Sequence, residues 1–518
     1  MWIRRDKMGR FKEYSYEQTV FLPINFNKQI LPGTFEYTLH NLIDEKIDLS
    51  LFYDRVNNDE TGAPAYDPAI LLKIILFAYS RSIITSRRIA RLCVENVICM
   101  ALSADTSPHY TTIADFIATN AKEIIDLFTR ILSVCYTQNL IGKNMFAIDG
   151  CKISSNCAKE WSGTKKELLE KAGKIEKACS YLVKKHKEAD KNKYNKSQEN
   201  KEKESIKKLK TRVEKIYKWL DENEDKIGTQ GKPIKSNIID NESAKMSTGH
   251  GVIQGYNGIA AVDDKHQVVV WAEAFGDSNE SSHLPEILEG VDKNCREAEV
   301  SDAVYKEVVI TADSGFHSEK NMEKVYSDGI TAFIADNRFR KRDVRFKDAG
   351  RYKKKVVNWK PKKGKNYFTA DDFIFNELTG KLICPAGFSM WIKSKNFQAG
   401  KYKGISYMGH IKNCKKCSIK TKCIRNKNTK ARQVAKLNLT NLEGKESFTA
   451  KMIRRFDTPE GRSIYSKRMG TVEPVFGHLR GTLHLDRFTV RSKKKVNNQW
   501  LLYCIVHNIG KIQRYGTI

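Results

Sequence analysis

No stretch of this sequence is long and apolar enough to cross a bilayer. The most apolar run, Ala69 to Tyr79, is interrupted by Lys73 and falls far short of the roughly 20 residues a spanning helix needs, so it reads as a buried helix. The first segment, Met1 to Val20, is charged and has no apolar stretch of signal-peptide length, which leads us to expect a protein that stays in the cytoplasm. Cysteine is thinly spread, with 12 in 518 residues and most of them single. That argues against a disulfide framework and for reduced thiols. Negative charge is also short: 61 Asp and Glu stand against 91 Lys and Arg, a net charge of +30. Such an excess suits a polyanionic partner, nucleic acid foremost, whose bound counterions are released on contact. A general bias toward lysine is the plainer account of part of it. What is present is ordinary for a globular protein, 40% hydrophobic and 29% charged residues, in a chain long enough for roughly two to four domains.

Residues 34–140 read as helical. Leu71, Ile74, Ile75 and Ala78, and later Ile124, Ile125, Leu127, Phe128 and Leu132, recur at helical spacing. Two short helices are expected between them, Thr85 to Asn96 with Arg87, Arg88 and Arg91, and Thr111 to Asn120. They form either a helix-turn-helix-like DNA module or a bundle that only packs or dimerises. Asn144 to Gly150 reads as a buried strand with Asp149 at its tip. From 165 to 227 a Lys/Glu-rich block carries two apolar stripes, Leu168, Ala172, Ile175, Cys179, Leu182 and Ile206, Leu209, Val213, Ile216, Leu220. A polar stretch around Lys187 to Asn200 separates the stripes, which predicts an antiparallel helical hairpin with solvated charged faces. Val252 to Val262 and Gln267 to Glu273 read as a β-hairpin turning at Asp263-Asp264-Lys265, followed by a helix over Ser282 to Arg296. Val308 to Ala312 is a second buried strand ending in an acid, Asp313, with a helix from Ser318 and an apolar strand from Ile330 to Ala335. The final helix is delayed until about Glu460 to Arg480.

This order of elements resembles the ribonuclease H-like fold, whose mixed sheet brings acids from different strands together. The fold class expected is α/β, a ribonuclease H-like mixed-sheet core interrupted by insertions, with an all-α N-terminal domain. Its parts are a helical domain at 1–140, the first part of the core at 141–336 with the hairpin insertion at 165–227, an inserted basic domain at 337–457, and the end of the core at 458–518. Both aspartates would stand just past the ends of hydrophobic strands, where side chains can meet over a sheet edge. Carboxylates gathered this way can hold two Mg²⁺ ions for phosphodiester chemistry, since each ion keeps waters and takes other ligands from the substrate phosphates. A strand-terminating turn is the alternative for either aspartate alone.

The segments FAIDG around Asp149, ITADSGFHS around Asp313 and YSKRMGTVEPVFGHLR from Tyr465 to Arg480 resemble the motifs of bacterial DDE-type insertion-sequence transposases. The likeness extends to PAYDPAILLKIILFAYSRSI in the helical region and to SAKMSTGHGVIQGYNGIAAVD after the hairpin. It implies that Asp149, Asp313 and Glu473 bind two catalytic Mg²⁺ or Mn²⁺ ions, and that Tyr465, Arg468 and Arg480 contact DNA near the cleaved end. Four residues separate Arg468 from Glu473 where the best-known signature has three, and its last basic position is lysine rather than Arg480. Lys467 and Arg468 would hold phosphates near the metal ions without reading sequence. A surface ion pair is the alternative for Arg480. The implied activity is DNA transposition: binding of terminal inverted repeats by a dimer or larger assembly, strand cleavage, and attack of the freed 3′-hydroxyl on target DNA. Such a protein works in the cytoplasm on the nucleoid, with no small-molecule substrate and no membrane partner. Two alternatives are a catalytically inactive, transposon-derived DNA-binding protein and a ribonuclease H-like nuclease that cuts without joining.

The expected inserted domain holds Cys384, Cys414, Cys417 and Cys423, a CxxC pair with two outlying cysteines. Four thiolates suit a structural zinc ion, and free thiols are the alternative. Lys412, Lys415, Lys416, Lys420 and Lys422 surround them. Between Arg338 and Lys365, basic residues interleave with Phe339, Phe346, Tyr352 and Trp359. That pattern fits either backbone neutralisation with base stacking or a solvated hairpin with one aromatic face. His250, His317 and His478 lie near the proposed site segments and are read as structural.

Overall fold

The computed structural model describes residues 25–55, 64–189, 196–228, 231, 233–249, 251–277, 279–346, 367–376, 379–399, 402–426, 428–441 and 446–517. Met1 to Val20, His250, Tyr352 and Trp359 lie outside the described residues. The chain forms two units, residues 1–116 and residues 117–517.

The first unit is helical, as its periodicity predicts. Pro68–Ser80 starts where Asp67 accepts from the Ala69 amide and Pro68 supplies a preset φ. Lys73, which interrupts its apolar run, is itself buried: its ammonium is held by the Asp44 carboxylate at 2.8 and 3.0 Å. The two short helices appear at Ser86–Glu95 and Tyr110–Thr119. Arg87 lies over the Tyr110 ring at 4.6 Å, and Cys93 and Cys99 touch as buried thiols at 3.7 Å.

The second unit is built on a mixed sheet. Its strands are β1 (Met145–Ser154), β2 (Ala244–Thr248), β3 (Gly251–Asp263), β4 (Val269–Phe275), β5 (Val309–Ala312) and β6 (Ala332–Ile334). The order runs β6-β5-β1-β3, with β2 and β4 both pairing to β3. β5 and β6 run parallel to β1's direction, and β3 runs antiparallel to β1. The helices are α1 (Ala121–Thr137), the hairpin pair α2 (Lys165–Ala189) and α3 (Lys196–Glu222), α4 (Leu284–Glu297), α5 (Glu319–Ser327), α6 (Phe448–Phe456), α7 (Pro459–Gly477) and α8 (Lys493–Tyr515). The hairpin stripes meet as expected: Leu168 and Ala172 pack with Ile216 and Trp219. α8 lies against β4, where Asn508 donates to Val269 O and accepts from its amide, standing in for a neighbouring strand.

Two expected boundaries move. β1 does not stop at Gly150. Its parallel partner β5 ends at Ala312, opposite Ile148, but Gly150 to Ser154 go on pairing with β3 as far as Gly255, so Asp149 sits inside the strand rather than at its tip. α7 ends at Gly477, and Arg480 falls in a wider π-type turn, His478–Thr482. Pro474 inside α7 has no N–H for the Gly470 carbonyl; Gln267 donates to that oxygen instead, at 3.1 Å.

The 337–457 stretch contains an antiparallel sheet, β7 (Ile374–Asn376), β8 (Lys381–Ile383), β9 (Ser389–Ala399), β10 (Tyr402–Gly409) and β11 (Gln433–Asn441), in that spatial order. Phe373, Leu382, Met390, Tyr407 and Val434 form its own small core.

Candidate active site

Where β5 ends, the chain turns sharply. Asp313 caps the turn Ser314–Phe316 by accepting from the Ser314 amide at 2.5 Å, and Asp149 accepts from the Gly150 amide at 2.9 Å. Because Ile148 and Ala312 are in parallel register, the next residue on each strand is an aspartate. The register thus brings together two acids far apart in sequence.

A cation from α7 joins them. Arg468 is buried and donates from Nη1 to Asp149 Oδ2 at 2.8 Å, while its Nη2 stands 4.0 Å from Asp313 Oδ1. Burial pushes the Asp149 carboxyl up from its ordinary value, against the pull of Arg468 and the Gly150 amide, and the Asp313 charge adds to the rise. Burial works to lower the Arg468 pKa, but Asp149 and Tyr465 outweigh it and raise it. Tyr465 is tucked edge-on against Phe456 at 4.9 Å and Phe339 at 5.6 Å, and its ring lies 5.5 Å from the Arg468 guanidinium. Burial raises its phenol pKa.

Glu473 and Lys467 are exposed on α7, and Arg480 is exposed in the turn beyond it. Five residues along a helix turn the side chain by about 140°, so when Arg468 points inward Glu473 cannot share its direction. Sequence reasoning missed Glu280, in the turn Glu280–Ser282 after β4. Burial raises its carboxyl pKa, Asn257 opposes the rise, and Asp149 and Asp313 lie near enough to raise it further. Asn257 Nδ2 donates to Glu280 Oε1 at 3.0 Å. The available signal was Asn257 itself, a polar residue in the buried run of β3.

Among the described residues no three His, Cys, Asp or Glu side chains form a ready metal site. At the aspartates, Arg468 stands between the two carboxylates. The donors nevertheless suit Mg²⁺ or Mn²⁺: they are hard oxygens, and the buried Asn257 Oδ1 beside them accepts no hydrogen bond.

From Asp313 an open groove runs past Ser314, Arg340, Lys341, Arg345, Arg462, Tyr465 and Arg468. Several of its cations are matched: Arg345 and Arg462 to Asp343, Arg462 also to Asp457. Exposed Arg340 instead lies over the rings of Phe339 and Phe346. His317 is held by the Ile334 carbonyl, and His478 contacts His507, both structural positions. Beside the second sheet, in the turn after β8 and in the short helical segments after β10, Cys384, Cys414, Cys417 and Cys423 line one cavity together with Gly409 and Arg432. Burial raises the Cys423 thiol pKa and the other three cysteines add to the rise, while Arg432 opposes it.

Two sequence families match the chain. The transposase DDE domain matches residues 383–513, which include the four cysteines, Arg468 and Glu473 but neither Asp149 nor Asp313, and the transposase domain (DUF772) matches residues 24–119. No curated protein matches. Both matches are to transposase domains, and together they indicate similarity to insertion-sequence transposases of the DDE type. No described helix is long and apolar enough to cross a membrane.

Proposed function

We propose that this chain is a transposase that binds the inverted terminal repeats of its own mobile element, cuts there, and joins the freed 3′ ends to target DNA, with Asp149, Asp313 and Glu473 serving two divalent ions. The observation that carries the reading is the parallel register of β1 and β5, which sets Asp149 beside Asp313, and Asp313 with Arg468 lines a groove rich in arginine. The strand order β6-β5-β1-β3-β4, with three antiparallel strands followed by two parallel ones, supports a ribonuclease H-like core. When bound, the ions would polarise the scissile phosphate and favour both the attacking and the leaving oxygen.

The protein's own contribution is placement. Asp149 and Asp313 are fixed by the amides that follow them, so little reorganisation is needed when cations arrive. Arg468 neutralises the pair beforehand and is within reach of an incoming phosphate. Arg340, Lys341 and the exposed Lys467 and Arg480 offer backbone contacts that position DNA without reading bases. Glu473 would complete the set from its exposed position on α7, which packs against β1 and β5. A dimer or larger assembly on the DNA, working on the nucleoid, follows from the need to hold two element ends. We further propose that the four cysteines bind a structural zinc ion that fixes the second sheet.

The test is cleavage of a labelled duplex carrying the element's ends, in Mg²⁺ or Mn²⁺ and in EDTA. Asp149→Asn, Asp313→Asn and Glu473→Gln should each abolish cutting while end binding persists. Normal cutting by all three would end this reading, and binding without cutting by the wild type would favour an inactive DNA-binding relic.

A further inference from the structure

Two members of a polar scaffold beside the two aspartates, Glu280 and Asn321, lie outside the segments that carry the family resemblance. Asn257 is 1% exposed in the middle of β3, where a buried amide is unfavourable unless its groups are satisfied. Its Nδ2 is satisfied by Glu280, but its Oδ1 accepts nothing. That oxygen lies 2.9 Å from where a Cβ on residue 150 would stand, directly beside the residue after Asp149. Glycine at 150 therefore keeps room for the Asn257 amide. Gly315, two residues after Asp313, does the same for Glu280: a Cβ there would be 3.2 Å from Oε2. The Glu280 turn and the Asp313 turn are also tied together. The buried Asn321 donates from Nδ2 to Ser281 O at 2.6 Å and to Phe316 O at 2.8 Å. Two glycines and two asparagines thus hold one carboxylate against an aspartate pair, an arrangement that is repulsive unless a cation is present. An orphaned acceptor oxygen beside three carboxylates asks for a cation or a donor, and hard oxygens of this kind select Mg²⁺ or Mn²⁺.

We propose that Glu280, oriented by Asn257, is a metal-binding carboxylate of this site alongside Asp149 and Asp313, joining them around a divalent ion once Arg468 gives way. The inference rests on the reading of those two aspartates as metal ligands, and it assigns Glu280 a role that does not depend on Glu473. In this structure the three carboxylates do not converge on one point, and the guanidinium of Arg468 stands at two of them, Asp149 and Asp313. Metal entry and withdrawal of Arg468 are then one event.

The experiment is a titration of the full-length protein, without DNA, with Mn²⁺, the free ion being followed by electron paramagnetic resonance. Wild type, Asp149→Asn, Asp313→Asn and Glu280→Gln are compared, with melting curves to show that each is folded. E280Q should weaken Mn²⁺ binding by at least about tenfold, the order seen when a side chain supporting a metal site is removed, and should fall in the same class as D149N. If E280Q binds as wild type while the two aspartate variants lose the ion, Glu280 is only a partner for Asn257, and the proposal falls with the metal reading intact. If no variant changes Mn²⁺ binding, the metal reading falls and takes the proposal with it. Should E280Q prove misfolded, Glu280→Asp decides: it keeps the charge and should bind the ion within a few-fold of wild type, whereas a loss as complete as that of D149N would overturn the proposal.

Discussion

Arg468 reaches from the middle of α7 to Asp149 with a 2.8 Å hydrogen bond, and its second amino group stands 4.0 Å from Asp313, so one guanidinium spans both aspartates. The pair is largely withdrawn from water, and its value to the fold lies mostly in what happens when one partner is removed.

Arg468→Ala leaves Asp149 in a half-closed site without its cation. Breaking a buried pair in this way costs about 3 kcal/mol, so the melting temperature should drop by several degrees, and Mn²⁺ should restore more of it than in the wild type. A melting temperature equal to wild type in the absence of metal would show that the pair does no structural work. Arg468→Lys should lie between, since lysine can meet one carboxylate but cannot span two.

Tyr465 separates packing from DNA contact. Its ring is wedged between Phe339 and Phe456, so Tyr465→Phe should melt within about 1 kcal/mol of wild type and Tyr465→Ala should lose about 2 to 3 kcal/mol. Filter binding of terminal-repeat DNA completes the test. Equal affinity for Y465F assigns the ring to packing alone, whereas a loss of affinity without a loss of melting temperature assigns the hydroxyl to DNA.

The cysteine sheet gives a prediction independent of catalysis. Purified protein should carry about one zinc per chain by elemental analysis, and Cys414→Ser or Cys423→Ser should release it and lower the melting temperature. Metal-free protein with four freely titrating thiols and unchanged melting would rule zinc out.

Acid should loosen the second unit at His507. Burial lowers the pKa of this imidazole to about 3, and its ring is engaged by Gln267 O at 2.9 Å and by His478 at 3.0 Å. A base whose folded pKa lies below its unfolded value of about 6.5 stabilises the fold fully above the unfolded value. That contribution is lost as pH falls toward the folded one. Wild-type melting temperature should therefore decline between about pH 6.5 and pH 4, and His507→Gln should flatten that slope. Identical pH profiles for the two proteins would refute it.

Much of this arrangement was legible from residue order. Val309 to Ala312 and the residues before Asp149 are apolar enough to be buried strands, and the two stripes of the hairpin meet as Leu168 and Ile216 do because helical periodicity sets their faces. The illegible parts depend on tertiary partners. Nothing local distinguishes the inward turn of Arg468 from the outward turn of Glu473. Lys73 breaks an apolar helix on paper but is neutralised by Asp44, 29 residues away. The sequence around Glu280 is polar and rich in serine, which reads as a solvated loop; only the packing of its turn on the Asp313 turn makes it part of the site.

Asp149 precedes Arg468 by 319 residues, so during synthesis the central strand leaves the ribosome long before its counter-cation exists. A gene copy interrupted anywhere in that interval encodes a chain with a carboxylate set into its main sheet and nothing to neutralise it. Such a shortened chain is destabilised and is a target for cellular proteolysis.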